Sequence, residues 1–352
     1  MIESYFLGAN SKDGFASLYG CFCRAEGDYL SVIKGGPGTG KSGFMRAIAR
    51  AAEARGLDAE YVLCSGDPDS LDGVYIPALR RGWVDGTAPH AAEPSHFGVD
   101  GDYVNLAQFC AVPLDEGERG AARALYEDYR REYAAAYGYL ASAWELRRAY
   151  LPQLFTGELA DAMRRRIGNI LRRCRIRDAH EGAARHCARY LHGYTCKGEV
   201  WLGEEITRAA GLVYLIDDGY GGAAAALDIA AEEADALGAA AIYCRDPLDK
   251  ARLDALILPE WGVAFASEGY DAAPARHIRL DAAIDSAAIQ GRRGEIREGR
   301  QIEGRLKNAA ISHLAAAKRK HDALETHYTR RMDFAELTEY TEKYVAALFG
   351  GK

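Results

Sequence analysis

The sequence predicts an α/β protein made of two tandem three-layer lobes with parallel sheets, each lobe followed by a long helical pair. Three observations carry that expectation. A glycine-rich loop lies between an apolar run and a helical run, a series of landmarks recurs in the same order in both halves, and two long stretches are rich in Ala, Leu, Tyr, Arg and Glu. Strands are expected at about 29–34, 60–64 and 81–85, alternating with a helix at about 41–55, and again at about 212–216, 239–244 and 261–266 around a helix at about 223–237. Such alternation is the pattern of a parallel sheet with crossover helices, in which ligands sit at the carboxyl ends of the strands. The helical pairs are expected over about 117–149 and 158–178, broken at Leu151-Pro152, and over about 282–329 and 334–348, broken near Arg331-Met332-Asp333. Periodicity leaves open whether these pairs pack on each other or cover the sheets.

The glycine-rich loop is Gly35-Gly36-Pro37-Gly38-Thr39-Gly40-Lys41-Ser42, between Tyr29, Leu30, Val32 and Ile33 on one side and Phe44, Met45, Ile48 and Ala49 on the other. Its glycines let successive backbone N–H groups converge on phosphate oxygens, which a Cβ would obstruct. The helix that follows points its positive end at the same anion. Lys41 can then reach the β/γ-phosphates, and the Ser42 hydroxyl is placed to ligand Mg²⁺. The lobes are therefore expected to be P-loop NTPase-like.

The repeat is read from shared landmarks. Phe6 to Lys12 has a counterpart in Leu191 to Lys197, and Leu30 to Gly38 in Val213 to Gly221. Tyr61-Val62-Leu63-Cys64 matches Ala241-Ile242-Tyr243-Cys244; Asp67-Pro68 matches Asp246-Pro247, and Ile76-Pro77 matches Leu258-Pro259. A tandem duplication follows, with residues 1–185 as an intact repeat and 186–352 as a degenerate one. Where the first loop has Lys41 and Ser42 the second has Ala224 and Ala225, and Asp217 replaces Lys34. Asp217 and Asp218 would repel polyphosphate, so one working nucleotide site and one structural relic are expected.

Composition narrows the remaining classes. The chain has 352 residues, enough for about two domains, and a net charge of −7, so the molecule as a whole has no electrostatic pull on nucleic acid or anionic lipid. No run approaches the length of a membrane span, and the start lacks the features of a signal peptide, so a cytoplasmic location is expected. Eight cysteines show no Cys-x-x-Cys spacing; Cys21 and Cys23 read as small apolar thiols in a reduced compartment rather than half a metal site.

Phosphoryl chemistry also needs a carboxylate for the Mg²⁺ shell and a group that orients water or an acceptor hydroxyl. Asp85 ends the short apolar strand Trp83-Val84-Asp85, where a Walker B acid belongs. The loop Ser65 to Gly73 carries Asp67, Asp69 and Asp72, which could orient attacking water or simply form a turn. Thr87 and His90 could sense the γ-phosphate or shuttle a proton. A basic stretch from Arg164 to Arg177 reads as a solvated or internally paired face rather than a nucleic-acid surface, since no aromatics interleave it. His321, Asp322 and Glu325 lie within about one turn of a helix, and a surface polar group explains them better than a metal site.

Ile33 to Ser42, Cys64 to Val74 with Ile76-Pro77, Val84 to His90, His321-Asp322-Ala323-Leu324-Glu325 and Met332-Asp333-Phe334 together resemble a bacterial family built from two tandem P-loop repeats. That family is generally described only as ATPase or ATP-binding protein. The resemblance spans nearly the whole chain and implies a P-loop NTPase fold and ATP binding, without a substrate. One departure matters: the second loop of family members can be more intact than Ala224 and Ala225 leave it here.

The expected function is Mg²⁺-dependent ATP hydrolysis at one site. Gly35, Gly36, Pro37, Gly38, Thr39, Gly40, Lys41 and Ser42 hold the triphosphate, Ser42 and Asp85 hold the metal, and Lys41, Asp85, Asp67, Asp72 and His90 carry the chemistry. No acid follows Asp85, so the usual glutamate base is missing from that strand. The alternatives are a small-molecule kinase using the same site, and a nucleotide-gated protein whose helical pairs meet a protein partner.

Overall fold

In the computed structural model, residues 3–87, 92–151, 155–175, 186–280 and 289–350 are described. The first half contains β1 (Ser4–Phe6), a hairpin of β2 (Gly8–Ser11) and β3 (Gly14–Ser17), β4 (Tyr29–Lys34), α1 (Lys41–Glu53), β5 (Glu60–Leu63), β6 (Leu71–Ile76), β7 (Arg81–Asp85) and β8 (Gly101–Asn105). Two helices follow, α2 (Glu116–Tyr150) and α3 (Gly157–Cys174). The second half runs β9 (His186–Arg189), a hairpin of β10 (His192–Thr195) and β11 (Gly198–Trp201), α4 (Gly203–Ala209), β12 (Leu212–Ile216), α5 (Ala223–Ala236), β13 (Ala241–Arg245), β14 (Leu253–Leu258), β15 (Val263–Ser267) and β16 (Ala275–Ile278). It ends in α6 (Arg293–Thr329) and α7 (Phe334–Phe349).

Each half builds a six-stranded sheet, in the order β1-β5-β6-β7-β4-β8 and, element for element, β9-β13-β14-β15-β12-β16. The pairing directions agree as well as the order. β4 lies parallel to both β7 and β8, as β12 does to β15 and β16. β6 is antiparallel to both its neighbours, and so is β14. The sheets are therefore mixed, which corrects the parallel sheets expected from the sequence. The reason is local: β5 reaches β6, and β6 reaches β7, through short turns, and only antiparallel neighbours can be joined without a crossover of a dozen residues.

Alternation along the strands divides the cores. Ile33, Trp83, Val74 and Ile76 turn to one face and pack with Phe44, Met45, Ile48, Ala49 and Ala52 of α1. Leu30, Val32, Val62 and Val84 turn to the other, toward Tyr19 and Phe22, in an apolar cluster that continues into Val213, Leu215, Ile257 and Ala264 of the second sheet and Ile206 of α4. In the second lobe Tyr214, Ile216, Leu256 and Phe265 face α5.

The long helices exchange places. α2 and α6 pack antiparallel along an apolar seam of Ala136, Leu140, Trp144, Ala310 and Leu314. A side chain at Gly299 would drive into the Tyr150 ring, its Cβ only 2.3 Å from Cγ. Beyond this seam α3, from the first half, lays Leu159, Met163, Ile167 and Leu171 on the second lobe beside Leu227 and Ala230 of α5. In return α7, from the second half, covers the first lobe: Phe44 stacks on Tyr340 and meets Tyr344 edge-on, and the Trp83 indole N–H donates to the Tyr344 hydroxyl at 2.9 Å. Both arrangements weighed for the helical pairs are thus realised, the first helices on each other and the second helices over the opposite sheet.

Candidate functional site

The loop Gly35–Ser42 follows β4 directly and opens α1, whose first residue is Lys41. Its turns need glycine at two positions: Gly38 and Gly40 adopt φ of 69° and 83°, a region where a Cβ is strained. At Gly35 the constraint is space, since a Cβ would stand 2.4 Å from Thr39 Oγ1. Thr39 Oγ1 donates to the Gly36 carbonyl at 2.9 Å, and Lys41 Nζ donates to the carbonyls of Gly35 (3.1 Å) and Gly36 (2.7 Å). The loop is thereby folded around its own lysine, which keeps a cation in the cavity that the loop lines.

Strand register brings the acid to this point. In the parallel pair of β4 and β7, Ile33 stands opposite Asp85, so the last residue of β7 emerges beside the start of the loop. Asp85 Oδ2 lies 3.6 Å from Lys41 Nζ, while Asp85 Oδ1 accepts the Thr87 N–H at 2.8 Å. Thr87 Oγ1 in turn donates to the Gly35 carbonyl at 3.0 Å. Ser42 Oγ accepts the N–H of Leu71 at 3.0 Å and faces the same cavity. A hydroxyl and a carboxylate of this kind are the hard oxygen donors that Mg²⁺ takes alongside phosphate oxygens.

Asp67 and Asp72 also line the cavity, in different settings. Asp67 closes the turn between β5 and β6, where its carboxylate takes the Asp69 N–H (3.2 Å) and the Ser70 hydroxyl (3.4 Å). Asp72 is a buried residue of β6 rather than part of the turn, and the Tyr19 hydroxyl donates to it at 2.8 Å. Burial first, and the Asp72 charge second, push the Tyr19 phenol well above its ordinary pKa and keep it a donor. His90 lies outside the described residues.

The cavity, of about 360 Å³, is closed by the crossing helices. That size falls within the usual range of small-ligand sites. Tyr129 and Tyr133 come from α2, and Lys318, His321 and Glu325 from α6, in the other half of the chain. Glu325 Oε1 accepts the Gly38 N–H at 3.1 Å, so a carboxylate already sits on one of the loop's anion-seeking amides. Lys318 Nζ lies 3.3 Å from Asp67 and also pairs with Asp322. Burial pushes the His321 imidazole below its ordinary pKa, with Lys318 and Lys41 acting the same way against the carboxylates of Glu325 and Asp322. The neutral ring has its Nδ1 3.7 Å from Glu325. His321, Asp322 and Glu325 converge closely enough to suggest a cation site, but Asp322 is neutralised by Lys318 and Glu325 is engaged by the loop.

His321 and Glu325, expected from the sequence to be a surface polar group, instead form part of the cavity wall, and Tyr129 and Tyr133 were passed over. A signal for the tyrosines was present: Tyr126, Tyr129, Tyr133 and Tyr137 recur at three and four residues, one face of a helix.

The second lobe has a cavity of about 460 Å³ at the matching place. Its loop is stopped from within, since Asp218 Oδ1 accepts the Ala223 N–H at 2.9 Å and Asp218 Oδ2 pairs with Arg147 of α2 at 3.1 Å. Ser267 stands opposite Ile216 in the register that puts Asp85 opposite Ile33, so the strand acid is missing as well as the lysine. Several of the remaining charges pair with one another. His192 stacks on Trp201 at a centroid distance of 3.5 Å, with Nε2 2.9 Å from Glu199 and Nδ1 3.4 Å from Asp254. Burial works to raise the Glu199 carboxyl, but His192 and Lys307 prevail and hold it at about 2.

Elsewhere, Arg164 pairs with Glu232 and Glu233 of α5 at 2.9 and 3.2 Å, so the basic helix is in part internally compensated; Arg177 lies outside the described residues. All eight cysteines are free thiols. Among the described residues no helix is long and apolar enough to cross a membrane. Compared with known protein families, characterised proteins and solved structures, the chain matches none of them.

Proposed function

We propose that this chain is an ATP-binding P-loop NTPase of the duplicated kind its sequence resembles, hydrolysing ATP with Mg²⁺ at one site in the first lobe. The observation that carries the reading is the loop itself: backbone that strongly favours glycine at 38 and 40, wrapped around Lys41 and lining one cavity with Ser42 and Asp85. The loop amides and Lys41 would take the phosphate oxygens, with Lys41 neutralising charge that grows on the β/γ oxygens in the transition state. Ser42 and Asp85 would hold Mg²⁺, which when bound adds Lewis-acid stabilisation of the same charge. Thr87, tied to both Asp85 and the Gly35 carbonyl, keeps strand and loop in register.

The test is thermal denaturation with and without MgATP, for the wild type and Lys41→Ala. A ligand at about 100 times its Kd stabilises the native state by about 2.7 kcal/mol, which for a chain of this size is a rise of a few degrees in Tm. The wild type should show that rise and the variant should lose most of it. Equal stabilisation of both proteins would refute the site. The nucleotide-gated reading stands second and is favoured over the kinase by the direct contact of α6 with the loop.

A further inference from the structure

We infer that Glu325 is the general base of the hydrolysis, supplied to the first lobe's site by a helix of the second half. This rests on the ATPase reading above. The strand that should carry the base does not: Gly86 and Thr87 follow Asp85. Among the carboxylates that line the cavity, Asp85 is paired with Lys41, Asp72 is held by Tyr19, and Asp67 is occupied by its own turn and Lys318.

Glu325 differs from all of these. Its Oε1 is 3.1 Å from the Gly38 N–H, in the stretch of loop whose amides converge on phosphate. It therefore holds the place on that amide that a phosphoryl oxygen would take. When that oxygen takes the Gly38 N–H, the displaced carboxylate is left beside the phosphoryl group, within reach of a water on its open side. Its near neighbour there is His321, whose Nδ1 lies 3.7 Å from the carboxylate and whose imidazole burial pushes below its ordinary pKa. The supporting helix is fixed from two directions, by Lys318 on Asp67 and by Glu132 of α2, which binds both His313 and Lys320 at 2.6 Å.

In the step so assigned, the water oxygen forms a bond to the γ-phosphorus. The bond from that phosphorus to the β,γ-bridging oxygen breaks, and its electron pair leaves on ADP. One water proton passes to the Glu325 carboxylate and then to solvent, leaving ADP, inorganic phosphate and a proton.

The experiment compares wild type, Glu325→Gln, Glu325→Asp and Lys41→Ala in two assays, ATP turnover and equilibrium binding of ATP. Glutamine keeps the shape and an amide oxygen to accept from Gly38 but cannot take a proton. Turnover by Glu325→Gln should fall by about 10²- to 10⁴-fold in kcat, with KM unchanged or lower. Binding of ATP should be as tight as wild type or several-fold tighter, because a negative charge has left the cradle. Aspartate, a carboxylate on a shorter stem, should restore at least about tenfold of the lost kcat. Wild-type kcat in Glu325→Gln overturns the assignment, and so does a wild type that binds ATP without hydrolysing it. Absence of ATP binding by the wild type, with Lys41→Ala no different, fails the nucleotide reading itself and is thereby distinguished.

Discussion

Two loops of the same origin in space, after β4 and after β12, have reached opposite electrostatic solutions. Loop one keeps its cation, Lys41, and meets a carboxylate, Glu325, that arrives near the end of α6. Loop two has put its own carboxylate, Asp218, onto the Ala223 N–H that opens α5 and meets a cation, Arg147, that arrives near the end of α2. An anion site whose occupant comes from outside can exchange it for phosphate. One whose occupant is covalently part of the loop and clamped by a half-buried guanidinium cannot do so without breaking that ion pair. On the proposed reading the difference separates a binding site from a piece of architecture, although both cavities are similar in size and position.

The comparison can be broken most sharply at the strand acid. Replacing Asp85 by Asn removes a charge from the proposed metal shell while keeping its hydrogen bond to Thr87. Mg²⁺-dependent ATP turnover should drop by roughly 10²-fold or more, and unchanged turnover would show that the two cavities do not differ as described. At the matching loop of the second lobe, Asp218→Ala should leave binding at one ATP per chain, measured by calorimetry. It should lower unfolding stability by about 3 kcal/mol, because Arg147 is left mostly buried without its partner; a loss of ATP binding without a loss of stability would reverse the assignment of roles. The smallest effect concerns acid stability. Glu199 has a folded pKa of about 2, below its ordinary 4.5. Its contribution is therefore complete above about pH 4.5 and is lost as pH falls toward 2. Denaturant melts of Glu199→Gln should show a flatter stability profile across that window than the wild type, and parallel profiles would remove Glu199 from the network.

What could be read from the sequence was what is encoded by neighbours along the chain. The loop, β4, α1 and β7 are each written in a few consecutive residues, and the repeat is visible because those words recur. Strand pairing was harder. β6 and β14 were not anticipated, and their antiparallel insertion depends on turns of Asp, Pro, Ser and Gly whose direction no periodicity reveals. Hardest was the exchange of helices. Glu325 meets Gly38 across 287 residues of chain, and a helical pattern states which face is apolar without stating what covers it. For the same reason the Tyr340 and Tyr344 face of α7 gave no hint that Phe44 and Trp83 of the other lobe were its partners.

The crossing of α3 and α7 bears on how such a chain can evolve. Here α7, from the second half, packs on Phe44 and Trp83 of the first lobe, and α3, from the first half, packs on α5 of the second. Each lobe therefore takes part of its cover from the opposite half, and removal of either half would strip apolar surface from the other.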